Sequence, residues 1–211
     1  MEYSLEYLRL LSERYPTIKA ASAQIIRLQS EQKLPKLTEH FMSDIHGEYE
    51  AFLHILKNAS GVIKDKIADI YGRTLSESDR QTLCTLIYYP QQKLDLIKHD
   101  MDNIEDWYKI TLYRLIEICR LVASKYMRST IRKYLPETFG DTIDELIHAD
   151  RDIDGDKQGY YNECINSIIE MGQADDFIVE ISMLIQTLAI GRLHIIGDIF
   201  DRGPRADIIL D

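Results

Sequence analysis

The chain has 211 residues, enough for one large domain or for one domain with a sizeable insertion. Apolar residues at 45% and charged ones at 28% are ordinary for a soluble globular protein, and a net charge of -10 argues against a general nucleic-acid binder, which presents a basic surface. Charged residues interrupt every apolar run before it reaches membrane-spanning length, so no membrane association is expected.

The start, Met1-Glu-Tyr-Ser-Leu-Glu6, lacks the basic head and apolar block of a secretory signal. Residues 2 to about 33 read as two helices. Leu5, Leu8 and Leu11 recur at helical spacing, Pro16 breaks the run, and Thr17 caps a second helix carrying Ile18, Ala21, Ile25 and Leu28. Pro35 ends that segment. Phe41 and Met42 lead as a short strand into Asp44, and Gly47 permits the turn after it. Glu48 to Lys57 returns to helical period, with Tyr49, Phe52, Leu53 and Leu56 on one side.

From Gly61 to Gly191 nearly everything reads as helix. Ser76, with Asp79 three residues on, makes a weak capping box. Tyr89-Pro90 breaks that helix, and Pro90 suits the first turn of the next, through Leu94 and Ile97. The most regular pattern predicts one helix from Ile104 towards Leu135, with Trp107, Leu115, Ile118, Val122 and Tyr126 at three- and four-residue steps and Pro136 as its stop. Shorter helices follow over Thr142–Ala149, Tyr160–Met171 and Asp175–Ile190. Leu193, Ile195 and Ile196 then form a second strand. Between two of these helices, Asp150-Arg-Asp-Ile-Asp-Gly-Asp156 imitates a calcium loop. One register puts Tyr161 where the bidentate Glu should stand and the other puts Lys157 at the glycine position, so it reads as a solvated loop.

Cys84, Cys119 and Cys164 are an odd number, widely spaced, and each sits in an apolar helical pattern. Buried, reduced thiols and a cytoplasmic location are expected. His40, His54, His99 and His148 lack metal-ligand neighbours and read as surface or packing residues. His194 alternates away from the functional side of its strand and reads as structural.

Chemistry concentrates where the two strands end. Ser43-Asp-Ile-His-Gly47 and His194-Ile-Ile-Gly-Asp-Ile-Phe-Asp-Arg-Gly-Pro204 share one build: a short apolar run, then a turn carrying acids with an imidazole or guanidinium beside glycine. Open α/β sheets place ligands at such carboxyl ends. Asp44, His46 and Asp198 offer oxygen and nitrogen donors suited to divalent metals, and alternate residues in an extended turn can face one ion. Asp198 is the candidate for a carboxylate shared between two metals. Arg202 carries a fork of donors matching phosphate and would support the charge developing on it. Asp201, the other candidate catalytic residue, is expected to orient an imidazole outside this sequence. A metal pair lowers the pKa of water and stabilises the leaving oxygen in phosphate ester hydrolysis, and it reverses the repulsion between an acidic protein and an anionic substrate.

Asp44-Ile-His-Gly47 and Gly197-Asp-Ile-Phe-Asp-Arg-Gly203 resemble the first two signatures of the calcineurin-like metallophosphoesterases. Asp44 and Asp198 stand 154 positions apart, far beyond the usual spacing. That helical insertion, with Thr38–Tyr49, Ile87–Lys98, Ser124–Ser129 and Met171–Asp175, is similar to the class III fructose-1,6-bisphosphatases of Firmicutes, over essentially the whole chain but only the N-terminal part of that family. The resemblance implies an α/β fold, the αββα sandwich of the superfamily with only its first strands present. Residues 1–60 would hold the N-terminal helices and first strand, 61–190 the helical insertion, and 191–211 the second motif strand.

It implies hydrolysis of the 1-phosphate of fructose 1,6-bisphosphate in gluconeogenesis, with Mn²⁺ as cofactor, Asp44, His46 and Asp198 as ligands, and Arg202 as a phosphate contact. The family pattern continues with a Gly-Asn-His signature that does not occur before Asp211, so the chain is expected to be a truncated part whose metal shells are completed elsewhere and which is inactive alone. Two further readings stay open: a protein or dinucleotide phosphatase of the same superfamily, and a helical regulatory or homo-oligomerisation module that binds without catalysing.

Overall fold

The computed structural model describes residues 3–100, 103–149 and 155–209. The acidic stretch Asp150–Asp154, weighed above as a calcium loop, and Leu210 lie outside them. The chain divides into two compact units, Met1–Lys36 and Leu37–Asp211. The first is the expected helix pair, α1 (Leu5–Arg14) and α2 (Ile18–Glu31). Ser4 caps α1 by accepting from the Tyr7 N–H, and Thr17 caps α2 by accepting from Ala20. Neither helix contains a buried residue, and Leu5, Ile18 and Ile26 stand exposed.

The second unit is mostly helical around a small parallel sheet, a coarse form of the α/β class expected. After the first strand come α3 (Tyr49–Asn58), α4 (Val62–Tyr71), α5 (Glu77–Tyr88) and α6 (Pro90–Asp100). Ser76 caps α5 by accepting from the Asp79 N–H, as the capping box predicts. The long helix predicted from Ile104 is instead two, α7 (Ile104–Ala123) and the single turn α8 (Arg128–Ile131). No proline or glycine announces the break. Ser124 turns its hydroxyl onto the Leu121 carbonyl, Met127 is extended, and the Tyr126 hydroxyl reaches across to donate to the Leu188 carbonyl. Long-range partners override the local periodicity here.

α9 (Gly140–His148), α10 (Gly155–Glu170) and α11 (Ala174–Ile190) complete the set. α10 starts earlier than its apolar pattern, since periodicity registers only the part that buries Tyr161 and Ile165. The core forms where α7 and α11 pack on each other and on their neighbours, burying Leu112, Leu115, Ile118, Phe177, Ile181 and Ile185 among others. Each such side chain contributes roughly 1.5–3 kcal/mol by leaving water. Cys84 and Cys119 lie in this core as free thiols; burial raises both pKa values, that of Cys119 to about 12. Cys164 is free but only half-buried. Among the described residues no helix is long and apolar enough to cross a membrane.

The sheet is one parallel pair, β1 (Glu39–Ser43) and β2 (Arg192–Ile196), with Glu39 opposite Arg192 and Ser43 opposite Ile196. α11 runs into β2 through Gly191, at φ +70°, where an added Cβ would lie 2.4 Å from the Thr38 carbonyl oxygen. The Arg192 N–H donates to that same oxygen, and Lys125 donates to the Thr38 hydroxyl. The helical region thus grips both strands at their amino ends. One sheet face lays Met42, Leu193 and Ile195 against the cluster of Ile45, Phe52 and Ile209. The other exposes Phe41 and Ile196, with His194 stacked on Phe41, in keeping with a structural role for that histidine.

Candidate metal centre

The two motif corners meet. Beyond β1 and β2 the backbones stay paired: Asp44 N–H donates to the Ile196 carbonyl, His46 N–H to Asp198, and Gly47 N–H to Ile199. Then they cross. A Cβ on Gly203 would stand 2.0 Å from the His46 carbonyl oxygen, and one on Gly47 would stand 2.9 Å from the Gly203 Cα. Only a glycine at each position lets the corners touch, because the obstructing atoms are backbone and cannot rotate away. Gly197 acts similarly: at φ +91°, its absent Cβ leaves room for the Asp44 carboxylate, whose Oδ1 lies 2.6 Å from where that atom would be.

This crossing brings Asp44, His46 and Asp198 together, each offering a donor atom within 4.8 Å of the other two. Asp44 and His46 both hold left-handed backbone conformations, φ +53° and +51°, which cost about 1–2 kcal/mol per non-glycine residue. Between them Ile45 is buried against Phe52 of α3, which holds the corner in that strained form. The packing of one apolar side chain therefore aims both of its neighbours outward.

Asp201, expected to orient an imidazole from outside this sequence, has a partner within it: its Oδ1 accepts a hydrogen bond from His46 Nδ1 at 2.8 Å. A carboxylate can only accept, so Nδ1 carries the proton and Nε2 is left with its lone pair for a metal. The same bond, above all, holds the Asp201 carboxyl below the ordinary carboxylate range. Arg202, at φ +73°, stands exposed on the rim and places Nε 3.0 Å from Asp201 Oδ2. It is joined to the centre through Asp201. Two carboxylates and one oriented imidazole match the hard and borderline donors of Mn²⁺, Fe²⁺ or Zn²⁺, so the residues present fit a divalent ion.

The two motifs carry the three donors but not what aligns them: the Gly47–Gly203 crossing and the Ile45–Phe52 packing exist only in the fold, although a glycine stands at one end of each motif. The other histidines are engaged elsewhere: His40 Nδ1 on Ser60, His54 on Tyr89, and His148 on the Asp144 carbonyl.

Comparison with known proteins bears directly on this site. The family model described as Firmicute fructose-1,6-bisphosphatase matches residues 6–211. A protein of Clostridium acetobutylicum named fructose-1,6-bisphosphatase class 3 is 61% identical over 208 residues, which is 99% of this chain and 31% of that protein. A protein of the same name from Clostridium botulinum strain Hall is 58% identical over the same share of each. The chain thus spans about a third of the length of these curated relatives. No solved structure matches it. With nearly every residue covered by the family model, the chain belongs to the Firmicute fructose-1,6-bisphosphatase family.

Proposed function

We propose that this chain supplies metal ligands and a phosphate contact to a fructose-1,6-bisphosphatase of class III type, which hydrolyses the 1-phosphate of fructose 1,6-bisphosphate to give fructose 6-phosphate. The observation that carries this reading is the convergence of Asp44, His46 and Asp198 from two strands whose motifs are separated by the whole helical region. It is supported by the shared name of relatives identical at well over half of the aligned positions.

When bound, a pair of Mn²⁺ ions would supply an activated water and charge neutralisation at the phosphoryl group. Asp44, His46 through Nε2, and Asp198 would hold the metal. Asp201 keeps the His46 ring in the tautomer that ligates, which makes it a positioning residue. Arg202 grips the phosphoryl oxygens and supports the negative charge that grows on them. Three donors are too few for two ions, so we assign the remaining ligands to the part of the relatives' length that this chain does not span. To the same part we assign the strands that would extend β1 and β2 into the sandwich of the metallophosphoesterases and cover Phe41 and Ile196. A cytoplasmic location in gluconeogenesis follows from this reading, and the free thiols of Cys84 and Cys119 agree with it.

The test is phosphate release by the intact protein from a panel of sugar bisphosphates, dinucleotides and phosphopeptides, with and without Mn²⁺. Mn²⁺-dependent release from fructose 1,6-bisphosphate, lost in Asp198→Asn, is the expected result. Turnover of phosphopeptides alone would overturn the sugar assignment.

A further inference from the structure

We propose that Tyr89, in the helical region, is a positioning residue for the metal corner, acting through α3. This deepens the metal-centre reading above and rests on it. α3 begins two residues after Gly47, so the corner that carries Asp44 and His46 is its direct N-terminal extension. One side of α3 presents Tyr49, Phe52 and Leu56 to the sheet and to Ile45. At 100° per residue, His54 projects from nearly the opposite side and Lys57 from the flank, about a quarter-turn round. Both meet Tyr89. Its hydroxyl shares a hydrogen bond of 2.5 Å with His54 Nδ1, the two rings stack with centroids 5.9 Å apart, and Lys57 Nζ lies 4.7 Å above the phenol ring. A cation over a phenol face and a stacked, hydrogen-bonded imidazole form a three-point hold.

The anchor itself is rigid. Tyr89 follows the last turn of α5, its N–H donating to the Thr85 carbonyl, and its own carbonyl accepts from the Lys93 N–H in α6. Pro90 forces Tyr89 out of helical geometry, to φ -137° and ψ 65°, which lets it leave the helix line where α5 gives way to α6. α3 is therefore held from both sides: Ile45 on the sheet side transmits its position to the two strained ligands, and Tyr89 on the other side fixes that position against the helical core. α3 also packs against α5 and α11; Tyr89 adds a directional polar hold to that packing, and without it α3 could shift and carry Asp44 and His46 with it.

The experiment measures Mn²⁺ affinity by calorimetry, and the Mn²⁺ electron paramagnetic resonance spectrum, on the intact protein. It compares the parent with Tyr89→Phe, Tyr89→Ala, Asp198→Asn and, as a control on the helical surface, Tyr134→Ala. Tyr89→Ala is expected to weaken Mn²⁺ binding about fivefold, the size of effect that residues without contact to a ligand exert through packed elements. Tyr89→Phe, which keeps the ring under Lys57 but loses the hydroxyl, falls between it and the parent, and Tyr134→Ala matches the parent. Unchanged affinity and spectrum in both Tyr89 variants overturn the inference, whatever happens to their melting temperatures. If Tyr89→Ala does not fold, the Phe variant alone decides by the same readout. Should Asp198→Asn leave Mn²⁺ binding intact, the metal-centre reading fails first and Tyr89 loses its role with it.

Discussion

Around α7 and α11 the chain buries side chains from most of its helices, whereas at the ends of β1 and β2 it buries little beyond Ile45, Phe52 and Ile209 and crosses two backbones through glycine instead. The helical core spreads its stability over many apolar contacts. The metal corner has no such reserve. Its donors are aimed by left-handed backbone at Asp44 and His46 and by a pair of touching glycines, so single atoms decide whether the site exists. Stability and site geometry therefore have largely separate causes within one unit, and substitutions should separate them.

The sharpest separation comes from Gly203→Ala. Its methyl carbon would fall 2.0 Å from the His46 carbonyl oxygen and 2.4 Å from the Gly47 carbonyl carbon, so one of the two corners must retreat. Mn²⁺ binding measured by calorimetry should be lost altogether, while the far-ultraviolet circular dichroism of the helices stays at the parent value. Retained binding would mean that the corners do not depend on this crossing.

How much of this was readable beforehand follows the same division. Helices with clean periodicity and a cap, such as the one opened by Ser76 or the one opened by Pro90, were legible because local chemistry alone specifies them. The break after Ala123 was not, because its cause is a hydrogen bond from Tyr126 to Leu188, far away in the chain. At the site, the donor types and the two glycine-bearing turns were legible as motifs. The partner of Asp201 was not: the motif spacing says that an acid follows Asp198, and only the folded crossing shows that it faces His46. Charge patterns on a strand end reveal chemistry, and pairings across a long insertion reveal themselves only in space.

A smaller effect, on the stability side, belongs to Asp144. This side chain is buried, with three hydrogen bonds from Arg128, one from Arg132 and His148 Nδ1 3.0 Å away. Burial pushes its pKa up, but the hydrogen bonds from the two arginines outweigh that and leave it lowered. A group held lower in the folded state than in the unfolded one stabilises above the unfolded value, about 3.9, and that contribution disappears as pH falls through the folded value. Asp144→Asn should therefore lower the unfolding free energy by about 2 kcal/mol near neutral pH in urea titrations, a figure moderated because both arginines can turn to water. The difference from the parent should shrink below about pH 4. Mn²⁺ affinity should not move. A change in it would show that this buried carboxylate, like Tyr89, reaches the metal corner.

The smallest effect tests the join between an aligned donor and the residue behind it. Asp201→Asn keeps a carbonyl oxygen that can accept from His46 Nδ1 and removes the negative charge, so the ring stays oriented but becomes a weaker base. Mn²⁺ affinity should fall about tenfold, close to 1.4 kcal/mol, with urea unfolding unchanged because Asp201 is exposed and adds nothing to the helical core. Asp201→Ala, which leaves the ring free to turn, should lose more. The gap between the two variants measures orientation apart from charge. An Asn variant as weak as the Ala variant would assign the whole contribution to charge, and one equal to the parent would assign it to orientation alone.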